Sequence, residues 1–163
     1  MDHNEIITYF NDILSRLEAQ FYHEIGGTAV KKLDLAGIDL LLSKDIKGET
    51  VEQLISNCIN AITSAGIAKD IRFSIHGKGI LLKLEVEGCI HLPKETNLKG
   101  EGIKPYMCPI ANMIGDRIIE VLKYETTYMA EMDIHESAER CTVKYAIFES
   151  IDKIGQVSDW TKI

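Results

Sequence analysis

No apolar run in the 163-residue chain approaches the ~18 residues that suggest a membrane span, and the N-terminus MDHNEIITYF has no basic stretch leading into an apolar core. A cytoplasmic location is therefore the expectation. Basic charge is scarce too. Lys and Arg total 18 against 25 Asp and Glu, a net charge of −7, and no Lys/Arg cluster forms a basic stripe, which argues against a nucleic-acid partner. There are no internal repeats, no low-complexity tract and no obvious linker. The motif-borne chemistries are missing as well: no glycine-rich phosphate loop, no HExxH, no GxSxG, no dinucleotide fingerprint and no CxxC pair.

What is present is ordinary globular composition, 45% hydrophobic and 26% charged, in a length close to that of one domain. A single domain over residues 1–163 is expected. Four cysteines without a secretion signal read as reduced thiols, which directs attention to metal binding or thiol chemistry.

The apolar spacing gives the elements. Ile6, Ile7, Phe10, Ile13, Leu14, Leu17 and Phe21 recur every three or four residues, predicting an amphipathic helix from Asn4 to Ile25 that stops at Gly26-Gly27. A second helix is expected over Thr28 to Leu42, weakened by Gly37. A third begins at Glu49 or Thr50 and carries Cys58 on its apolar stripe, where a small buried hydrophobe is the simplest reading.

After Gly66 the period changes to two, and Ile71, Phe73 and Ile75 mark a strand. His76-Gly77-Lys78-Gly79 reads as a turn into a second strand, Ile80 to Leu92, and Pro93 to Pro105 as a long loop. Pro109 suits the first turn of a helix, so Cys108 opens that helix. Residues 126–149 alternate around His135–Glu139 as a final hairpin, followed by a tail that holds Trp160. The order αααββαββ predicts an α+β fold in which an antiparallel sheet of hairpins packs against helices.

Chemistry concentrates in the second half. Cys89 and His91, two apart on the expected strand, share a face and form a pair of soft and borderline metal ligands. Cys108 at a helix N-terminus gains from the positive end of the dipole as ligand or nucleophile. Cys141 begins the last strand, with His135 six positions earlier among Glu131, Asp133 and Glu136. These residues make a zinc site if the sheet brings them together. Otherwise they are unrelated thiols and histidines, and a nucleophilic Cys108 with His91 or His135 as base is a third possibility. Met107, Met113, Met129 and Met132 suit an apolar pocket but are more simply core.

With these elements placed, CPIANMIGDRIIEVL, from Cys108 to Leu122 with Gly115, and ERCTVKYAIFE, from Glu139 to Glu149 with Cys141, resemble the 4-vinyl reductase domain family. The resemblance runs from Ile80 to Phe148. It implies a module that binds small molecules, as in aromatic-responsive regulators, and zinc held by cysteines with a glutamate. MAEMDIHESAERC departs from the pattern by lacking a middle cysteine, offering Glu131, Asp133 and His135 instead. The metal set expected from residues and resemblance together is Cys89, His91, Cys108, His135 and Cys141. The resulting expectation is a non-enzymatic zinc module enclosing a small apolar ligand between helices and sheet, with no assigned catalytic residue. The competing reading is a small metal- or cysteine-dependent enzyme, a hydrolase or a tetrapyrrole-related reductase. The resemblance also implies a homodimer, with the first helix and the Trp160 tail as candidate surfaces.

Overall fold

The structure, a computed structural model, describes residues 2–33, 36–76, 81–150 and 152. It has the expected α+β architecture: helices packed on a four-stranded antiparallel sheet of order β1-β2-β4-β3. Helix α1, His3–Ile25, starts at a capping box in which the Asp2 side chain accepts from the Glu5 amide and the Glu5 side chain from the Asp2 amide. It ends at Gly26, whose φ of +58° suits glycine. Helix α4, Val51–Ser64, is capped by the Thr50 hydroxyl and buries Leu54, Ile55, Cys58 and Ile62, so Cys58 is a core residue as expected.

Between them the expected single helix is broken. A 3-10 turn over Gly26–Ala29 leads into α2, Val30–Leu33, and α3 follows only at Asp39–Leu42. Gly37 sits between α2 and α3 at φ +86°, where an added Cβ would lie 3.2 Å from the Pro109 side chain. The glycine lets the chain turn and pass close to Pro109 instead of continuing the helix.

Strands β1, Asp70–His76, and β2, Leu81–Glu87, pair antiparallel, with Phe73 opposite Leu84. His76 is the last residue of β1 and not part of the turn, and Gly77–Gly79 lie outside the described residues. Strand β2 stops at Glu87, five residues short of the expected end. Gly88, at φ +60°, turns the chain, and the segment expected as a loop contains α5, Leu92–Gly100. Helix α6, Pro109–Leu122, then leads to β3, Thr126–His135, and β4, Arg140–Phe148. The Trp160 tail lies outside the described residues.

One face of the sheet, including Leu82, Leu84, Val86, Cys141, Val143 and Tyr145, packs with α4 and α6 into the main core. Met107, Met113 and Met132 are buried side chains of this interior, and Met129 packs at its edge. Helix α6 lies so close to the sheet that a Cβ on Gly115 would stand 2.4 Å from the Tyr145 hydroxyl. No helix among the described residues is long and apolar enough to cross a membrane.

Candidate functional site: a thiol cluster above a buried ion triad

The sheet order brings three distant cysteines to one end of the molecule. Cys141, second in β4, sits opposite Val86 of β2 and Ile134 of β3, so its side chain faces the core. Cys108 is the N-cap of α6 and is buried beside that face. Cys89 follows β2 directly. On a continued strand it would share the face of Glu85 and Glu87, but the left-handed turn at Gly88 changes the register and packs it against the core. The Gly88 amide donates to the Glu139 carbonyl at 2.9 Å and the Ile90 amide to the Ile67 carbonyl at 3.0 Å, fixing the turn.

The thiols lie within electrostatic reach of one another. Burial pushes Cys89 up to about 11 and Cys108 up to about 12, and the Cys89 thiol adds to the second shift. Cys141 is driven further still, by burial first and then by Cys108 and Cys89. The helix end was expected to favour a thiolate at Cys108. Loss of water around a residue only 4% exposed outweighs it.

His91 joins Cys89, though through a turn and not by strand alternation. Its backbone N–H donates to the Cys89 sulfur at 3.4 Å, and its Nδ1 lies 3.7 Å from that sulfur. Burial, followed by the Lys94 charge, lowers its pKa to about 4. The imidazole is neutral at pH 7, the form that binds metals.

His135 is not part of this group. It pairs with Arg140 across β3 and β4, one residue out of phase with Cys141, and is exposed on the rim of a separate groove with Lys99, Lys104 and Asp133. The acidic residues around it are also occupied elsewhere or solvated: Glu131 pairs with Lys144 at 3.1 Å, Glu136 with Lys99 at 3.2 Å, and Asp133 is exposed.

Beneath the thiols lies a feature that periodicity did not indicate. Lys94 of α5 is fully buried, its ammonium 2.7 Å from Glu18 Oε1 of α1 and 2.5 Å from Glu95 Oε1, and it donates to the Met107 carbonyl at 3.3 Å. Burial alone would lower Lys94, but the two carboxylates outweigh it and hold the ammonium charged. One cation cannot neutralise both acids. Glu95 is raised to about 7 by burial, with Lys94 opposing the shift and Glu18 adding to it, while Glu18 is also raised by burial. Among the described residues, the second oxygen of each carboxylate has no hydrogen-bond partner. The only sequence signal was a Lys-Glu pair following a proline in a polar stretch, which reads as solvated surface.

A groove of about 510 Å³ opens beside Cys89. Leu92, Pro93 and Cys89 give it apolar surface, and Thr96, Asn97 and Glu136 give it polar groups. Among the described residues, no three His, Cys, Asp or Glu side chains are drawn closely enough together to hold a metal ion. The cluster is a convergence of donors rather than a closed chelate. No family model matches the chain, and no curated protein or solved structure matches it.

Proposed function

We propose that this chain is a non-enzymatic module that binds a small molecule and is tied together by zinc, in the manner implied by its resemblance to the 4-vinyl reductase domain family. The observation that carries the reading is that Cys89, Cys108 and Cys141, from the turn after β2, the cap of α6 and the start of β4, pack into one end of the core within electrostatic reach of one another. The donors fit zinc in kind and number, three thiols and the neutral imidazole of His91, although they must close in and shed their protons to ligate it. Zinc bound there would link three segments of the fold and contribute folding free energy.

The ligand site is better placed at the surface than in the core. The space between α6 and the sheet, where an enclosed ligand was expected, is closed at Gly115 against Tyr145. The groove beside Cys89 is open, and its mixture of Leu92 and Pro93 with Thr96 and Asn97 suits a small, largely apolar molecule with one polar end. The cytoplasm suits four free thiols. A cysteine nucleophile needs a depressed pKa, and these are raised.

Metal analysis of protein purified without added zinc tests the reading. Stoichiometric zinc is expected, with chelation lowering the melting temperature and exposing Cys89 to alkylation before Cys108 and Cys141. Metal-free protein whose melting is indifferent to chelator overturns the zinc clasp, and rapid selective alkylation of Cys108 at neutral pH points to an enzyme instead.

A further inference from the structure

On helix α1 an apolar stripe that includes Ile6, Phe10 and Leu17 is left exposed, because Glu18 pairs with Lys94 and turns the opposite face inward. The sheet presents the reverse case, an apolar patch that is buried although it lies on the face away from the core. Side chains alternate along a strand. In β4, Cys141, Val143, Tyr145 and Ile147 belong to the core, so Thr142, Lys144, Ala146 and Phe148 lie on the outer face. In β2, Leu82, Leu84 and Val86 face inward, which places Leu81, Lys83, Glu85 and Glu87 outside.

Over much of this outer face the residues suit a solvated sheet. Lys83, Glu85 and Glu87 keep about a third of their side-chain surface open and form ion pairs with their neighbours. At one end the pattern fails. Leu81 is 1% exposed, and Ala146, its partner across β2 and β4, and Phe148, two residues further on, are 0% exposed. None of the three belongs to the main core or to the smaller group of Ala19, Leu98 and Ile103. Helices α4 and α6 pack on the other face of the sheet and do not reach them. The patch needs an occupant, and its size limits the choice. At roughly 200 Å² for each large side chain, the three residues offer at most about 500 Å². A specific complex takes about 800 Å² from each partner. A short segment therefore suits the patch better than a second folded copy.

Two stretches are near enough in sequence. Residues 77–80, which link β1 to β2, hold one large apolar residue, Ile80, at the parity of the inward-facing Leu82 and Leu84. The segment after β4 is richer. Ile151, Ile154, Val157, Trp160 and Ile163 recur every third residue, starting three residues beyond Phe148. The chain bends at Glu149 and Ser150, and the Asp152 amide donates to the Ser150 hydroxyl at 3.4 Å, so the segment does not run on in line with β4.

We propose that residues 151–163 fold back over their own sheet and dock on its outer face at Leu81, Ala146 and Phe148, with the Trp160 indole as the principal apolar contact. The family resemblance gives this segment to a partner subunit, whereas the buried patch gives it to its own chain. The inference is independent of the zinc and ligand reading, since none of these residues belongs to the thiol cluster.

Trp160 is the one tryptophan of the sequence, so its fluorescence reads the docking directly in the full chain. Its emission is expected at shorter wavelength than in the urea-unfolded chain and several-fold less quenched by acrylamide, with no change on dilution. Phe148→Ala and Leu81→Thr, which open the patch, should return both signals toward the unfolded values while the far-ultraviolet circular dichroism spectrum is unchanged. In the unmodified protein, nuclear Overhauser contacts are expected between the indole and the Phe148 ring or the Leu81 methyl groups, and this measurement decides the matter where a variant fails to fold. Emission and quenching like those of the unfolded chain overturn the proposal. So do a protected indole that neither folded variant disturbs and the absence of those contacts. Protection lost on dilution, together with a shift from dimer to monomer in sedimentation, gives the segment to a second copy and overturns docking within the chain.

Discussion

Two carboxylates share one ammonium at Lys94, and the imbalance makes the site sensitive to pH. Glu95 lies near 7 when folded against an ordinary 4.5, so between these values the native state keeps a proton that the unfolded chain has lost. Stability from this group is present at low pH, falls as pH rises through the window and is flat above it. His91 acts in the opposite sense. Its folded value near 4, against 6.5, means that the unfolded chain binds the extra proton between 4 and 6.5, and stability rises with pH there. The two slopes oppose each other between about 4.5 and 6.5, so the unmodified protein conceals both. In metal-free protein, Glu95→Gln is expected to gain on the parent progressively from pH 4.5 to 7 in chemical denaturation. An advantage that does not grow across that range refutes the assignment. Lys94→Met removes the cation from both buried acids and should cost about 3–5 kcal/mol at pH 7, measured in the same way.

At the scale of elements, glycines set the distances on which the site depends. Gly115→Ala trades a helix-propensity gain of about 1 kcal/mol against a Cβ within 2.7 Å of three atoms, two on Tyr145 and one on Thr127. The Thr127–Tyr145 hydroxyl pair at 3.0 Å and the buried ring leave little room to yield, so the clash wins. A net loss of about 1–2 kcal/mol is expected in thermal or urea denaturation. Gly100→Ala, at the open end of α5 with nothing among the described residues within 4 Å, should be neutral or slightly stabilising. Equal effects at the two positions would show that α6 does not rest tightly on the sheet. The same elements explain what the sequence could tell. Helices α1, α4 and α6 carry apolar residues at helical spacing, and both hairpins alternate, so their existence and order were legible. Helix α5 was not, because it buries Lys94 and Glu95 with Leu98 and has no apolar stripe. The orientation of α1 was hidden for the same reason: its pattern marks a stripe but cannot show that an ion pair with α5 turns that stripe outward. Cys108 and Cys141 were legible as positions, but their meeting with Cys89 depends on β4 lying beside β2 and on the Gly88 turn, neither of which local spacing encodes.

At the scale of the whole molecule, net charge works against the homodimer through the first helix that the family resemblance implies. The open face of the sheet carries ion pairs such as Lys144–Glu131 and Lys83–Glu85, which cancel locally and leave the excess of −7 spread over the rest of the surface. Half-exposed pairs of this kind, open to solvent on one side, add little to stability. Two copies brought together at α1 repel through that excess, while the contact itself is apolar. Added salt shortens the screening length from about 14 Å at 0.05 M to about 4 Å at 0.5 M, weakening the repulsion and leaving the attraction intact. Dimerisation through α1 is therefore expected to tighten as sodium chloride rises across that range, read as a shift of the sedimentation equilibrium toward dimer at fixed protein concentration. An interface held by charge, such as Asp12 or Glu5 against basic groups on the other copy, would respond in the reverse direction. Weakening with salt would thus remove the apolar stripe as the source of association even in a protein that proves dimeric.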